Sequence, residues 1–207
     1  MDYSNILYFL GASVLLTIAP GPDNIFVVTQ GITKGRKAAI ITATGMCSGI
    51  IVHTTAAALG ISVIFYSSAL AFNLVKFAGA AYLLFLAYRA VREQSDLTLR
   101  KNGNMLTGFA LFRRGFIMNV LNPKVALFFL AFLPQFVSST TQNFALEMIF
   151  LGCIFMVQGS IIFTMIGFFS GSIGEYIQKN AKVSGVFSWL TAGVFALLGI
   201  RLALSQQ

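Results

Sequence analysis

The sequence predicts an all-α membrane protein: six transmembrane helices arranged as two inverted three-helix repeats, with the first and fourth helices broken. Three observations predict it. Of 207 residues, 57% are hydrophobic and 10% charged, where ordinary soluble domains carry about 25% charged residues; the mean hydropathy is +0.83. Successive apolar runs, each about long enough to cross a bilayer, leave no room for a separate soluble domain. Two of those runs, in corresponding places of the two halves, are interrupted by proline next to a charge: Pro22-Asp23 and Pro123-Lys124. Interrupted helices in matching positions mark the binding site of a transporter.

The first span runs from Ile6 to Thr29 and holds Ile18-Ala19-Pro20-Gly21-Pro22-Asp23-Asn24. Each proline removes a donor and clashes with the preceding turn, so the helix breaks there. Backbone freed at membrane depth is tolerated only inside protein or along a watery cavity. Asp23, an ionisable residue at that depth, is a functional candidate by default. After the basic turn Lys34-Gly35-Arg36-Lys37, a second span runs from Ala39 to Phe65. Gly45, Gly49, His53 and Ala57 recur every fourth residue along one of its faces, and small residues there let a neighbouring helix come close. The third span, Phe72 to Arg89, begins near Lys76, whose long stem predicts snorkelling to the outer interface.

The longest polar stretch follows, from Arg89 to Arg114. It divides the chain into a first three-helix half (1–91), a cytoplasmic linker (92–115) and a second three-helix half (116–207). The fourth span runs from Phe116 to Phe136 and breaks at Asn122-Pro123-Lys124. The fifth, Leu146 to Phe169, carries Gln158, expected to bond a neighbouring helix. A Gly-rich loop from Ser170 to Ser184 leads to the sixth span, Val186 to Leu204. Three spans per half bring the second half in from the opposite side, so the repeat is inverted. Setting Pro22 on Pro123 sets Asp23 on Lys124.

The net charge is +8. The basic residues sit in the loops after spans one, three and five, and the loops after two and four have none, so the basic loops face the cytoplasm and both termini lie outside it. That distribution belongs to membrane orientation and not to a nucleic-acid groove. The first residues lack a basic stretch, which argues against a cleaved signal peptide. Cys47 and Cys153 lie inside apolar runs and read as packing residues. A lone histidine, two separated cysteines and few carboxylates make a dehydrated metal site hard to build, and no cofactor is expected. No nucleophile–base constellation suggests an enzyme.

Four motifs stand out in order: Ala19-Pro20-Gly21-Pro22-Asp23-Asn24; the Gly45-Gly49-His53 stripe; Gly79-Ala80-Ala81-Tyr82-Leu83; and Asn122-Pro123-Lys124 with Leu133-Pro134-Gln135-Phe136. Together they resemble the LysE-type amino-acid exporters, more closely the homoserine/threonine-efflux (RhtB) branch, over nearly the whole chain. The resemblance implies export of amino acids or their derivatives across the cell's inner (plasma) membrane, by antiport with protons.

The candidate substrate-binding residues are Pro20, Gly21, Pro22, Asp23, Asn24, Asn122, Pro123 and Lys124. Lys124 suits the carboxylate of a zwitterionic amino acid and Asp23 its ammonium, helped by half-helix ends. Asp23 and His53 are the candidates for proton coupling, the latter because imidazole titrates near neutrality. The structural alternatives are an Asp23–Lys124 pair that holds the halves together and a neutral His53 bonded to a neighbouring helix. The functional alternative is a transporter of another small solute or of a metal ion. The expected partners are an amino acid, protons and the lipid bilayer, with no nucleic acid; the glycine faces leave a homo-oligomer open.

Overall fold

A computed structural model describes residues 3–19, 21–61, 69–92, 107–138, 141, 143–179 and 181–204. Among these residues the regular structure is entirely helical. Helices α1 (Tyr3–Ile18) and α2 (Pro22–Lys34) form the first broken pair, bent by 54°. Helix α3 (Arg36–Ala56) widens into a five-residue π turn, Ala57–Ile61. Helix α4 spans Ala69–Arg92. Helices α5 (Gly108–Val120) and α6 (Pro123–Leu127) form the second broken pair. A wide turn at Phe128–Phe132 and a tight one at Leu133–Phe136 prolong α6, and the bend at this break is 47°. Helix α7 (Phe144–Lys179) and helix α8 (Ala181–Leu204) complete the chain.

Local chemistry explains several of these boundaries. Proline opens α2 and α6 at the first helical position, where its missing N–H costs no bond. Gly35 closes α2 with φ 87, its N–H bonded to the Gly31 carbonyl at 3.0 Å. Such a φ is open to glycine, and the basic turn thereby shrinks to one residue between two helices. Helix α5 starts at Gly108, ahead of the expected Phe116, because the Thr107 hydroxyl accepts from Ala110 N (3.3 Å). Arg113 and Arg114 are therefore helical.

The expected loop at Ser170–Ser184 is corrected: α7 runs on to Lys179. Ile173, Tyr176 and Ile177 keep the helical apolar spacing there, and Glu175 precedes Lys179 by the four residues that favour a helix. The glycines that suggested a loop cost only about 1 kcal/mol each within a helix. Lys76 is also corrected: it is buried, with Nζ 4.7 Å from the Phe77 ring centre.

Among the described residues two helical stretches are long and apolar enough to cross a bilayer, Arg36–Leu59 and Phe144–Ser170; the count rises to four if each bent pair is one span. The apolar part of α8, Trp189–Leu204, is shorter, and α4 carries Lys76, Arg89 and Arg92.

The main helix pairings are α3 on α5, α4 on α8, α3 on α7, α2 on α7 and on α3, and α1 on α7. The α3–α5 crossing is very close. A Cβ on Gly45 would lie 2.1 Å from the Phe112 carbonyl oxygen, and one on Gly115 would lie 2.2 Å from that of Thr42. Neither carbonyl can swing aside, so each helix needs its glycine at the crossing. The core beside it is aromatic. Phe128 meets Phe132 (5.1 Å between ring centres), Phe155 (5.3 Å) and Phe9 (6.0 Å), and the wide turn after α6 is what turns its phenylalanines inward.

Candidate functional site

The two breaks meet. At the first, α1 ends in carbonyls with no helical partner. Asn24, from beyond the break, donates its side-chain amide to the carbonyls of Thr17 (3.0 Å) and Ile18 (3.4 Å). The next carbonyl, Ala19, accepts from Lys124 Nζ at 3.2 Å. The lysine therefore lies at the negative end of α1, while Asp23 lies in the first turn of α2, at a positive end.

Lys124 Nζ also sits 3.0 Å from Asp23 Oδ2 and 3.2 Å from Oδ1. The two side chains are 2% and 3% exposed, so this is a fully desolvated ion pair. Such a pair is costly to break from one side alone, because a lone buried charge remains. Gly21 makes room for it: a Cβ there would lie 2.6 Å from Asp23 Oδ1 and 3.0 Å from Lys124 Nζ.

At the second break Asn122 caps α6, its Oδ1 accepting from Lys124 N at 3.0 Å. Leu121 N and Asn122 N bond back to the carbonyls of Ile117 and Asn119, each at 2.9 Å. His53 reaches the same turn from α3: its Nε2 lies 3.1 Å from the Asn119 carbonyl. A carbonyl can only accept, so Nε2 carries the proton. The His53 ring also packs 5.8 Å from that of Phe129.

Of the predicted site residues, Gly21, Asp23, Asn24, Asn122 and Lys124 come together at the joined breaks, and Pro22 and Pro123 open the helices that carry them. Pro20 lies outside the described residues. His53 belongs to the turn that precedes the second break, and its bond goes to Asn119 and not to Asp23. Gln158 makes the interhelical bond expected of it, from Nε2 to Thr17 Oγ1 at 3.1 Å. Thr17 was not foreseen: a threonine in an apolar helix ordinarily bonds its own backbone, and this one also does so, to Ser13 O at 2.8 Å. Among the described residues, no three of His, Cys, Asp and Glu gather where a metal ion could sit.

Apolar helices of spanning length, two bent pairs and a desolvated ion pair where the bends meet define a multi-pass membrane protein with one ion pair buried inside it. The chain belongs to the LysE type translocator family, which matches residues 14–206. It is 29% identical to the homoserine/homoserine lactone efflux protein of Salmonella typhimurium over 96% of both chains. It is 26% identical to the leucine efflux protein of Salmonella choleraesuis over 97% of this chain and 94% of the other, and 27% identical to an uncharacterized membrane protein of Vibrio cholerae over the full length of both. No solved structure matches the chain.

Proposed function

We propose that this protein is a secondary transporter that exports amino acids or their derivatives from the cytoplasm across the inner membrane, in exchange for protons. The observation that carries this reading is the desolvated Asp23–Lys124 pair at the junction of two helix breaks. A zwitterionic amino acid brings the same two charges. Its carboxylate takes the place of Asp23 on Lys124, and its ammonium takes the place of Lys124 on Asp23 and the Ala19 carbonyl. One paired set replaces another, so no lone charge stays buried. Asp23 is the proton carrier in this scheme, since protonation ends its hold on an ammonium. His53 is second to it: Nε2 is occupied, and a proton would enter at Nδ1. The relatives named for homoserine, homoserine lactone and leucine efflux support the substrate class.

In this reading six spans form two inverted halves joined by a cytoplasmic linker; the linker of 92–115 expected from the sequence is shortened at its far end, because α5 of the second half already begins at Gly108. Although the packing of α2 on α7 and on α3 has no comparable counterpart, exchanging the halves turns that of α1 on α7 into that of α5 on α3, and returns the α3–α7 and α4–α8 pairs to themselves. This supports a pseudo-two-fold axis in the membrane plane.

Purified protein in liposomes, loaded with leucine or homoserine, tests the function. Efflux should require a proton gradient. Equal flux without a gradient would point to a passive channel, and no flux of either would overturn the assignment. Orientation is tested by single cysteines at Ser68, Gln94 and Thr141 in a background without Cys47 and Cys153. An impermeant thiol reagent should label Ser68 and Thr141 on intact cells and leave Gln94 unlabelled.

A further inference from the structure

We propose that Gln158 on α7 and Asn24 on α2 form an acceptor pair for the substrate ammonium beside Asp23, and that Asn122 supplies a donor for the carboxylate beside Lys124. The inference rests on the function proposed above and adds which atoms meet which end of the zwitterion.

The polarity of each amide is dictated by its partner. Thr17 Oγ1 spends its single proton on the Ser13 carbonyl, so it can only accept from Gln158. Gln158 must therefore present its NH₂, and Oε1 is the atom left over. Asn24 faces the carbonyls of Thr17 and Ile18, which also only accept, so its Oδ1 is left over. Asn122 accepts from Lys124 N through Oδ1, so its Nδ2 is left over.

All three side chains are more than nine-tenths buried. Among the described residues none of the three remaining atoms has a hydrogen-bond partner. Buried amide groups in that state are rare, because each forgoes water without compensation. The two oxygens belong to amides held by one residue, Thr17, and one of these amides directly follows Asp23. The spare nitrogen belongs to the residue that caps Lys124. Acceptors therefore accompany the carboxylate and a donor accompanies the lysine, which is the order a zwitterion requires. An ammonium has three donors, and Asp23, Asn24 and Gln158 offer it three acceptors from two helices. Two further buried oxygens without partners, Gln30 Oε1 and Asn119 Oδ1, do not hang on Thr17. Gln30 lies about 9 Å farther along α2 by helical rise, and Asn119 Oδ1 faces Gly49.

The test compares export of leucine with that of two analogues by purified protein in liposomes. One, 2-hydroxy-4-methylpentanoate, lacks the ammonium; the other, leucinamide, lacks the carboxylate. Gln158→Met keeps volume and loses the acceptor, and Gln158→Glu keeps an acceptor. In Gln158→Met the preference for leucine over the hydroxy acid, read as a kcat/KM ratio, should fall about tenfold, the size of one lost hydrogen bond to a charged group. Its preference for leucine over leucinamide should stay unchanged. Gln158→Glu should retain the preference for the ammonium. A residue that merely ties α7 to α1 would lower the amount of folded protein and leave both ratios as they were. That result in Gln158→Met, or loss of the ammonium preference in Gln158→Glu, would overturn the inference alone. Wild-type protein that exports neither leucine nor homoserine would overturn the underlying function and this inference with it.

Discussion

The two helix breaks look alike in sequence and are completed differently. The second closes most of its hydrogen bonds locally, with His53 of α3 adding one bond to the Asn119 carbonyl. Asn122 caps α6, and the N–H groups of Leu121 and Asn122 find carbonyls within the preceding turn. The first does not. Gly21 offers α2 no side-chain cap, and the Ala19 carbonyl is met by Lys124, 105 residues away in the chain. The second break is thus a locally built platform that delivers Lys124, whereas the first depends on the charge delivered to it. In the proposed cycle this makes the first break the sensitive partner: when a zwitterion displaces Lys124, the Ala19 carbonyl exchanges its donor, while the second break keeps its own backbone bonds.

The largest expected effect comes from removing the delivered charge. Lys124→Met leaves Asp23 buried alone and the Ala19 carbonyl without its donor, which should cost about 3–5 kcal/mol and abolish export. Adding Asp23→Asn should restore the folded protein in the membrane and leave export lost, read as efflux normalised to folded protein. A double variant that transports like the wild type would reduce the pair to a structural tie.

Glycine substitutions sharpen the contrast between site and scaffold. Gly45→Ala meets the Phe112 backbone carbonyl at 2.1 Å, which cannot yield, and should lower the folded yield. Gly21→Ala meets the side-chain atoms of Asp23 and Lys124, which can move apart. It should insert normally and lose most of its export. Equal folded yields for the two would show that the α3–α5 crossing is looser than its geometry implies.

Replacing the prolines comes next. Pro22→Ala and Pro123→Ala each allow the helix to close and should reduce export more than insertion. The first should suffer more, because the second break keeps the Asn122 cap. Full activity in both would show that the bends are incidental.

The smallest effect on stability is expected of the cap itself, although losing the Asn122 Nδ2 donor should also weaken export in the reading above. Asn122→Ala should destabilise the protein by about 1 kcal/mol, measured as a shift in thermal unfolding in detergent. His53→Gln, which can still donate to the Asn119 carbonyl, should fold normally; loss of proton-driven export in that variant would place His53 in the coupling path.

Much of the site was legible from the chain alone, because it is built from residues that are costly in a membrane. Pro22, Asp23, Pro123 and Lys124 have no inexpensive place in an apolar helix, so they mark the breaks and the charges wherever they occur. The same reasoning located Gln158, whose amide needs a partner in any apolar setting. What it could not supply was the identity of partners remote in sequence. Whether His53 faced Asp23 or the second break was set by how far along α3 the glycine crossing places α5. The loop expected at Ser170–Ser184 failed because glycine content outweighed a helical apolar spacing that ran on to Lys179. Lys76 was expected at the interface because a lysine stem can reach it, and packing around α4 decided otherwise.

By itself, then, the sequence determined that this chain is apolar, helical and twice interrupted, because composition and proline chemistry act locally and need no neighbours. Tertiary structure alone decided that the two interruptions meet, that Lys124 serves both Asp23 and the Ala19 carbonyl, and that Thr17 orients two amides. Those are contacts between helices, set by the close crossing at Gly45 and Gly115 and by the aromatic core around Phe128, and no local rule encodes the distance between them.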